Sequence, residues 1–594
     1  MTNPMQGRRL AAGLGLAATV LLAACGSNDD DRAALACDSS LATAFQPDAQ
    51  TSVVAVKAFS KGDALLLSGS ASANTPTAAA DVCMVKLNVG PGNPGPAGAP
   101  STSAGIGIEV WLPAKAAWNN RIHALGGGGW QGGPAGSATA IASTAAAAVA
   151  GVEGAVSSTT DTGHAVAGTG AFAMNPDGSI NQTLWTDFAT RAIHEQAVKT
   201  KALAAAYYGR PARWAYWEGG STGGRQGLNL ALNHPEHYDG MVANYPAIHW
   251  TRFITSELYP QIVYQRDLGG APLSKAQVDL VSNAAINACD TVGGTHLGYL
   301  IDPAACRYNP VQDSAVLCAA DGGSNTTAAC VSQLQAQALN KIWYGMTSDG
   351  SVPDPATDNG WQQVTASTLM GNGLQRWTGL TRGTNLGLLA GAQTEFTIAS
   401  DVVALELQDP TLAGTSFLNA KANGQAGWKQ LSYAQLNNAY ERGLALQSQF
   451  ANINTDNPDL SAYKNRGGKI ITWHGLADEL IAPQGTINYY HRVAAAMGGM
   501  ANAQSFFRLY LVPGQGHGSP NGTSNPAAII PAVAPGQMYG LLTDWVEKGT
   551  APDQVMLTTT TSAGTTRSMP VCVYPKKISY QGGDVGVGTS YGCS

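Results

Sequence analysis

A serine inside a glycine turn is the first group in this chain whose surroundings suit a nucleophile. Residues 213–228 read RWAYWEGGSTGGRQGL, and the aromatic residues at their start favour a β-strand. Leu228 and Leu232 then recur at helical spacing. Residues 219–223, between the aromatic and leucine positions, fit G-x-S-x-G, a tight turn that exposes the hydroxyl of Ser221. We therefore predict a strand, a nucleophile turn and a helix.

An aspartate and a histidine in the second half of the chain would complete a catalytic set. Asp478 follows the apolar residues 469–473 and His517 follows residues 506–512, so each comes after a predicted buried strand. The order Ser221, Asp478, His517 is that of α/β-hydrolases. In such a set the serine attacks, the histidine takes its proton, and the aspartate orients the imidazole. We predict acyl-transfer chemistry on one rim of a parallel sheet.

Two other residues compete for these roles. His474 also ends a predicted strand, but its position four residues before Asp478 favours a structural role. A second G-x-S-x-G match, at residues 588–592, lacks the strand and helix that a nucleophile turn connects. We therefore keep His517 as the base and Ser221 as the nucleophile.

A run of four glycines after residues 121–125 suits the oxyanion hole that acyl transfer needs. One backbone N–H usually comes from the residue after the serine, here Thr222, and another from a glycine loop upstream. Gly127 and Gly128 are the candidate donors in that loop. The alternative is that the run is only a flexible turn.

The elements that must position these residues alternate as strand and helix, which predicts an α/β-hydrolase core. A long helix is expected over residues 187–208, and a polar loop over 158–164. Residues 253–468 show no such alternation, so we interpret them as a large inserted lid domain. The core then consists of residues 35–252 and 469–594, the second part ending in an irregular tail.

The composition excludes several classes of protein. The chain has 594 residues, of which 44% are hydrophobic and 12% charged, so it can bury a substantial core. The formal net charge is −6 and no basic stripe is present, which argues against nucleic acid as a partner.

The N-terminal residues are typical of an export signal. Arg8 and Arg9 precede an apolar stretch that is too short to span a bilayer. Its end, LAAC at 22–25, resembles a bacterial lipobox, in which Cys25 becomes lipidated. We predict a lipoprotein signal peptide over 1–24 and a tether over 25–34. The protein would then be exported and anchored to the outer membrane, facing the periplasm or cell surface; the alternative is an ordinary secretory signal cut near residue 24.

Without the lipid-bearing cysteine, an even number of cysteines remains. An even set in an exported chain predicts disulfides, here among Cys37, Cys83, Cys289, Cys306, Cys318, Cys330, Cys572 and Cys593. Neighbours along the chain are the natural pairs, although connectivity does not follow from the spacing. No C-x-x-C or H-E-x-x-H spacing indicates zinc, and we expect no metal.

Several short motifs spread along the chain belong together. They are WNNR at 118–121 with the glycines at 126–129, TDTGH at 160–164, GGSTGGRQG at 219–227, CD at 289–290, IDP at 301–303 with Cys306, HGLAD at 474–478, VPGQGH at 512–517, and WVEKGTAPD at 545–553 with Cys572. In these motifs the chain resembles the tannase/feruloyl esterase family, which includes mono-(2-hydroxyethyl) terephthalate hydrolases, over nearly all of its mature length. The resemblance implies a serine carboxylesterase with a large lid, acting on phenolic or aromatic esters through Ser221, Asp478 and His517.

The same resemblance implies a cystine pattern and shows one departure from it. With export and the even count, it implies the pairs Cys37–Cys83, Cys289–Cys306, Cys318–Cys330 and Cys572–Cys593. The family usually joins the residue before the serine to the residue after the histidine by a further disulfide. Gly220 and Gly518 stand at those positions, and we expect them still to face each other.

A second departure concerns a calcium loop that the family carries after the cysteine matching Cys289. Asp290 is present, but Gly293 and Leu297 stand where acids are expected. Calcium requires six to eight oxygen ligands, several of them from carboxylates. We therefore expect no calcium and no other cofactor.

Two other functions remain open. The lid sets the substrate, so an esterase for aliphatic or polymer-derived oligoesters is the alternative within the same fold. A catalytically silent binding lipoprotein on this scaffold is the alternative from another class. The expected partner is a small-molecule ester, with membrane contact only through Cys25, and the oligomeric state is left open.

Overall fold

The computed structural model describes residues 35–371, 373–391, 395–419 and 422–594. The predicted signal peptide over 1–24, the lipidated Cys25 and the tether over 25–34 lie outside these ranges. Within them, no helix has the length and apolar character that crossing a membrane requires.

The described residues form 15 β-strands and 15 α-helices. The strands are β1 (Thr51–Phe59), β2 (Val82–Val89), β3 (Ile106–Pro113), β4 (Arg121–Leu125), β5 (Ser157–Thr160), β6 (Trp214–Gly220), β7 (Gly240–Asn244), β8 (Thr291–Val292), β9 (Thr295–His296), β10 (Lys469–Gly475), β11 (Phe507–Val512), β12 (Gln554–Thr560), β13 (Thr566–Cys572), β14 (Ile578–Tyr580) and β15 (Tyr591–Cys593). The helices are α1 (Leu41–Ala44), α2 (Thr144–Ala148), α3 (Gln182–Thr186), α4 (Ala192–Tyr208), α5 (Thr222–Asn233), α6 (Trp250–Glu257), α7 (Tyr259–Asp267), α8 (Lys275–Cys289), α9 (Gln333–Tyr344), α10 (Thr397–Leu407), α11 (Tyr433–Ala445), α12 (Ser461–Asn465), α13 (Pro483–Ala496), α14 (Met500–Gln504) and α15 (Gln537–Lys548).

A five-stranded parallel sheet organises the fold, with strand order β11-β10-β7-β6-β4. Strands that are consecutive in this set along the chain are also neighbours in the sheet. Because all four pairings are parallel, the five carboxyl ends meet at one edge. This arrangement confirms the α/β prediction. Ligands of open parallel sheets bind at that edge, where the turns carrying Ser221, Asp478 and His517 all lie.

Both faces of the sheet are covered, which explains why its strands are so apolar. All five residues of β7 are buried. On one face the strands pack in a core that includes Leu228 of α5 and Val493 of α13. On the other face, Val242, Trp473 and Tyr510 pack against Leu542 and Trp545 of α15.

A second, antiparallel sheet has strand order β1-β2-β3-β5. The loop expected over residues 158–164 is wrong in its first part, since β5 (Ser157–Thr160) is a fully buried strand. Two of its hydroxyls are paired inside the protein: Thr160 Oγ1 donates to the carbonyl of Gly107 at 2.8 Å, and Ser158 Oγ accepts from Thr200 Oγ1 at 2.9 Å. The Ser157 hydroxyl is buried without a partner among the described residues. The hydrogen bonds of Ser158 and Thr160 offset part of the cost of burying this polar strand.

A long insertion separates two neighbouring strands of the parallel sheet, β7 and β10. It contains helices α6 to α12 and the short β8–β9 hairpin. Helix α6 (Trp250–Glu257) runs through the boundary predicted at 252/253. Phe253 of α6, Val402 of α10 and Leu436 of α11 lie in the same apolar core as the sheet. The insertion is therefore packed onto the edge where the candidate catalytic residues lie.

The predicted irregular tail is wrong, because residues after 553 form two hairpins. Strand β12 pairs with β13, and β14 pairs with β15. Met556 is exposed while Val555 and Leu557 are buried, so this is a strand with one buried face. The alternation is hard to see in the sequence, because β12 ends in three threonines and β13 ends at the disulfide-bonded Cys572.

The four cystine pairs implied by the resemblance are confirmed. Their Cα–Cα separations are 5.8 Å for Cys37–Cys83, 5.6 Å for Cys289–Cys306, 4.9 Å for Cys318–Cys330 and 5.6 Å for Cys572–Cys593. These separations lie within the usual range for disulfides.

Non-reducing proteolysis with mass spectrometry should recover these four pairs from the oxidised protein, with no free thiol among the eight cysteines. The reason is that each pair is already held within bonding distance by the fold. A peptide linking Cys37 to Cys572, or alkylation of any of the eight without reduction, would contradict this expectation.

Candidate active site

Ser221 occupies the sharp turn between β6 and α5. Its backbone has φ 58° and ψ −124°, a conformation that L-residues rarely adopt. Hydrogen bonds hold the turn there: Ser221 N donates to Asn244 O at 3.1 Å, and Ala247 N donates to Ser221 O at 2.9 Å. A Cβ at Gly219 would come within 2.6 Å of the backbone of Gly223, so the turn closes only with glycine there. This is the geometry expected of a nucleophile turn.

His517 and Asp478 are brought together by the neighbouring strands β11 and β10. The imidazole Nδ1 of His517 lies 3.0 Å from Asp478 Oδ2, and the Asp478 side chain is completely buried. The other carboxylate oxygen, Oδ1, accepts hydrogen bonds from the N–H groups of Leu480 and Ile481 at 2.9 and 2.8 Å. A buried carboxylate with this many donors is stabilised as an anion.

The two groups shift each other's pKa values in opposite directions. Burial opposes ionisation of Asp478, but the charge of His517 and hydrogen bonds from His474 and His517 outweigh it and lower the pKa of Asp478. Burial alone would lower the pKa of His517, but the charge and hydrogen bond of Asp478 raise it above the ordinary histidine value. Asp478 is thus placed to stabilise a protonated His517.

His474, the competing histidine, lies on the other side of Asp478. It is completely buried; Nδ1 pairs with Thr486 Oγ1 at 3.0 Å, and Nε2 lies 2.9 Å from Ile481 O and 3.1 Å from Asp478 Oδ2. These contacts fit the structural role expected of it, because they fix the carboxylate and leave the imidazole away from the serine.

Ser221 and His517 line one pocket together with Thr222 and Gly129. Thr222 Oγ1 donates to the carbonyl of Gly129 at 2.8 Å, which ties the glycine loop to the start of α5. The N–H of Gly127 is used elsewhere, since it donates to Gln226 Oε1 at 3.1 Å. This contact argues against Gly127 as an oxyanion donor and leaves Gly128 and Gly129 as the candidates in the loop.

The rest of the pocket wall is mainly apolar and comes from α6, from the insertion beyond it and from the turn after β10. The lining residues are Ala247, Trp250, Phe253, Ile254, Glu257, Phe396, Ile398, Leu480 and Ile481. A larger apolar cavity, bounded by Trp361, Leu511 and Tyr574 among others, contains neither Ser221 nor His517. The smaller pocket is the one that can place an ester carbonyl beside the serine.

Tyr245, at the end of β7, fills the space beside Gly220 and Gly518. A methyl group built on Gly220 would overlap the tyrosine ring, and one built on Gly518 would lie 2.9 Å from the tyrosine oxygen. The ring also packs edge-on against His517, with centroids 4.7 Å apart, and against Trp473 at 4.8 Å. The two glycines thus face one residue, and an aromatic side chain stands where a cystine would.

Glu479 holds the backbone of the histidine loop. Its Oε2 accepts a hydrogen bond from the N–H of His517 at 2.9 Å. Neither Tyr245 nor Glu479 was singled out by the sequence. Glu479 could have been, since it is the acid directly after Asp478, but nothing in the sequence indicates where Tyr245 points.

In the loop that matches the family's calcium loop, Asp290 is hydrogen-bonded to groups of the protein, and Gly293 and Leu297 contact other side chains. Asp290 accepts hydrogen bonds from His296 Nδ1 at 2.5 Å and from the N–H of Gly298 at 2.7 Å. The ring of Tyr580 lies against Gly293, 2.6 Å from where a Cβ would be. Leu297 packs in a small apolar cluster with Tyr299. These contacts direct the Asp290 carboxylate inward, towards protein donors.

Comparison with known proteins places these features in a wider group. A family model described as "Tannase and feruloyl esterase" matches residues 97–594. A probable feruloyl esterase of Arthroderma benhamiae is 32% identical over 495 residues, covering 82% of each chain. The mono(2-hydroxyethyl) terephthalate hydrolase of Piscinibacter sakaiensis is 28% identical over 528 residues, covering 82% of this chain and 81% of that protein.

Solved structures share the fold. Feruloyl esterase B from Aspergillus oryzae superposes with a TM-score of 0.71 at 23% identity, covering 94% of this chain and 99% of its own. The tannin acyl hydrolase of Aspergillus niger gives a TM-score of 0.66 at 21% identity, covering 94% and 95%. These likenesses support the α/β-hydrolase fold predicted from the sequence.

Replacing Tyr245 by alanine should lower kcat for ester hydrolysis on the order of 10- to 100-fold, because the His517 ring loses the surface that positions it. KM should change much less, since Tyr245 does not line the Ser221 pocket. Tyr245→Phe is the matched control: it keeps the ring contact and should stay close to wild type. Equal kcat values for the alanine and phenylalanine variants would show that the ring does not position His517.

Adding calcium to the metal-free protein should leave its melting temperature unchanged. A bound ion would stabilise the fold by mass action, but the Asp290 oxygens are already paired and Gly293 and Leu297 offer no carboxylate. Differential scanning calorimetry over a calcium titration measures this, with magnesium as the control salt. A concentration-dependent rise specific to calcium would show that other oxygens complete a site.

Proposed function

Because the chain belongs to the tannase and feruloyl esterase family and is a carboxylic ester hydrolase, we propose that it cleaves its substrate through an acyl-enzyme on Ser221. The observation that carries the proposal is the strained Ser221 turn beside His517, whose Nδ1 lies 3.0 Å from a buried Asp478. Both Ser221 and His517 line the same pocket. This shared pocket and the His517–Asp478 pair support Ser221 as nucleophile, His517 as base and Asp478 as the orienting acid.

The proposed reaction has two halves. Ser221 Oγ attacks the ester carbonyl while His517 takes the hydroxyl proton, and the resulting oxyanion is stabilised by the N–H of Thr222 and by the Gly128–Gly129 loop. The tetrahedral intermediate then expels the alcohol, which receives the proton from His517. A water molecule next gives its proton to His517 and attacks the acyl carbon, which releases the carboxylic acid and restores Ser221.

The pocket favours an aromatic acyl group. Trp250, Phe253 and Phe396 contribute rings to its wall, and aromatic surfaces pack well against flat substrates. The names of the similar proteins, feruloyl esterase, tannin acyl hydrolase and terephthalate hydrolase, all refer to aromatic acids. We therefore propose phenolic or aromatic carboxylic esters as substrates, with aliphatic or polymer-derived esters as the alternative.

The insertion would act as the lid. Trp250 and Phe253 of α6 lie at its start, and Phe396 and Ile398 lie deep within it, yet all four line the pocket that contains Ser221. A segment that supplies one wall of the pocket controls which substrates fit and excludes water from the reacting groups.

Export remains part of the proposal. Four cystines suit a compartment in which disulfides persist, and the sequence before residue 34 has the pattern of a lipoprotein signal. We propose an exported esterase held to the outer membrane through a lipid on Cys25.

Ser221→Ala should abolish hydrolysis and leave the melting temperature close to wild type. Removing a nucleophile that acts together with its base lowers kcat by a factor on the order of 10⁶. The measurement is initial rates on gallate, ferulate, terephthalate monoester and short aliphatic esters. The panel also decides between aromatic and aliphatic substrates. If the folded variant kept more than a small fraction of the wild-type rate, Ser221 would not be the nucleophile.

The pH dependence of kcat/KM should follow the protonation state of His517. As a base it must be neutral, so kcat/KM should rise with pH and reach half its maximum above about 6.5, the ordinary histidine value. Asp478→Asn removes the charge that raises the pKa of His517, so burial should shift the midpoint of the pH profile down. The same change should lower kcat by a factor on the order of 10⁴, as in serine proteases. An unchanged midpoint in the Asp478→Asn variant would mean that another group titrates.

A further inference from the structure

Three histidines and a glutamate meet on the surface of the core, away from the proposed active site. His194 lies on α4, while His234, Glu236 and His237 lie in the turn between α5 and β7. One ligand atom from each comes within 4.8 Å of all the others. The turn is held by hydrogen bonds from the N–H of His234 to Leu230 O at 2.9 Å and from the N–H of His237 to His234 O at 3.1 Å.

The distances within this cluster are close to those of a tetrahedral metal site. Metal–nitrogen bonds of 2.0–2.1 Å separate neighbouring ligand atoms by roughly 3.3 Å. His194 Nδ1 and His237 Nε2 are 2.8 Å apart. Glu236 Oε1 lies 3.5 Å from His237 Nε2 and 3.7 Å from His234 Nδ1. All four ligand atoms lie within 4.8 Å of one another, so side-chain movements on the order of 1 Å would bring them to tetrahedral separations around one ion.

The ligands are also of a suitable kind. Three imidazoles and one carboxylate suit Zn²⁺ and similar late first-row divalent ions. The nearby Lys201 ammonium bonds to the Glu236 backbone carbonyl at 3.4 Å, which leaves the Glu236 carboxylate available to an ion.

We propose that His194, His234, Glu236 and His237 form a structural zinc site that joins α4 to the end of α5. Ser221 precedes the first residue of α5 and His234 follows its last. The helix has 12 residues, so the site lies roughly 18 Å from the serine. Zinc should therefore stabilise the fold without taking part in ester hydrolysis. The sequence did not indicate zinc because one ligand lies 40 residues before the others.

The test is a zinc titration of the metal-free full-length protein, followed by equilibrium dialysis for stoichiometry and by calorimetry for melting temperature. We expect one zinc per chain, a melting temperature that rises with zinc concentration, and unchanged kcat. His234→Ala should weaken zinc binding by about tenfold or more.

Two further variants make the result decisive. Glu236→Gln changes a side chain that is 62% exposed, so this variant should fold and still bind zinc more weakly. His491→Gln is the matched control, since His491 pairs with Tyr574 outside the cluster, and it should bind zinc as wild type does. Absence of saturable zinc binding, or equal affinity in wild type, His234→Ala and Glu236→Gln, would overturn the proposal.

A separate observation concerns Glu257, which lines the Ser221 pocket at the end of α6. The residue is 5% exposed, and its Oε2 is buried without a hydrogen-bond partner among the described residues. Burial, with a smaller contribution from the charge of Asp478, raises the pKa of Glu257 well above its ordinary value. This shift favours the neutral carboxylic acid, which can both donate and accept a hydrogen bond.

Such a group in an apolar wall needs a polar partner, and a substrate bound in the pocket can supply one. We infer that Glu257 binds a phenolic hydroxyl on the aromatic acyl group. A neutral hydroxyl fits better than a substrate carboxylate, because the Asp478 charge that acts on Glu257 would also repel an anion. This inference rests on the proposed function, and it narrows the substrate to hydroxylated aromatic esters.

A pair of substrates that differ by one hydroxyl tests it. Wild type should hydrolyse methyl 4-hydroxycinnamate with a higher kcat/KM than methyl cinnamate. Glu257→Leu should reduce that ratio by about tenfold or more, chiefly by lowering the rate on the hydroxylated ester. Glu257→Gln, which keeps a donor and an acceptor, should keep most of the preference.

The outcomes separate this inference from the proposed function. If Glu257→Leu hydrolyses both esters with the wild-type ratio, Glu257 does not bind the hydroxyl, while the Ser221 mechanism stands. If Ser221→Ala remains active on methyl cinnamate, the mechanism itself fails, whatever the ratio for Glu257→Leu.

Discussion

The structure of the candidate active site depends on keeping one carboxylate, that of Asp478, ionised in a fully buried position. Burying a charge is costly unless it is paired and hydrogen-bonded. Asp478 meets this requirement with two backbone N–H groups and two histidines. The donors come from its own turn and from β10 and the loop after β11, so adjacent parallel strands are needed to assemble them.

The histidine loop is held by contacts that exist only in the folded state. A cystine across the turn and the loop would act largely by restricting the unfolded chain. The ring of Tyr245 and the carboxylate of Glu479 act instead by packing and hydrogen bonding against His517. Gly220 and Gly518 are required for this solution, because a side chain at either position would meet the tyrosine. In this chain the glycines and the tyrosine therefore depend on one another sterically.

What could be predicted from the sequence was local. Ser221, Asp478 and His517 each follow a run of buried strand residues, so pattern and order were enough to select them. The cystine pairs followed from resemblance, since spacing alone leaves the connectivity open. The Ser157–Thr160 strand was missed because serine and threonine are typical of polar loops, and the sequence does not show that these side chains are buried. Tyr245, Glu257 and the histidine cluster were missed because their roles arise from contacts between segments that are distant in sequence.

The central claim is that Ser221 is made nucleophilic by His517, and covalent labelling tests it most directly. The oxidised protein would be treated with a fluorophosphonate, and the adduct would be located by peptide mass spectrometry across a pH series. We expect one adduct per chain, on Ser221, with a labelling rate that rises with pH as His517 loses its proton and that collapses in His517→Ala. Labelling of another residue, or an undiminished rate on Ser221 in His517→Ala, would contradict the claim.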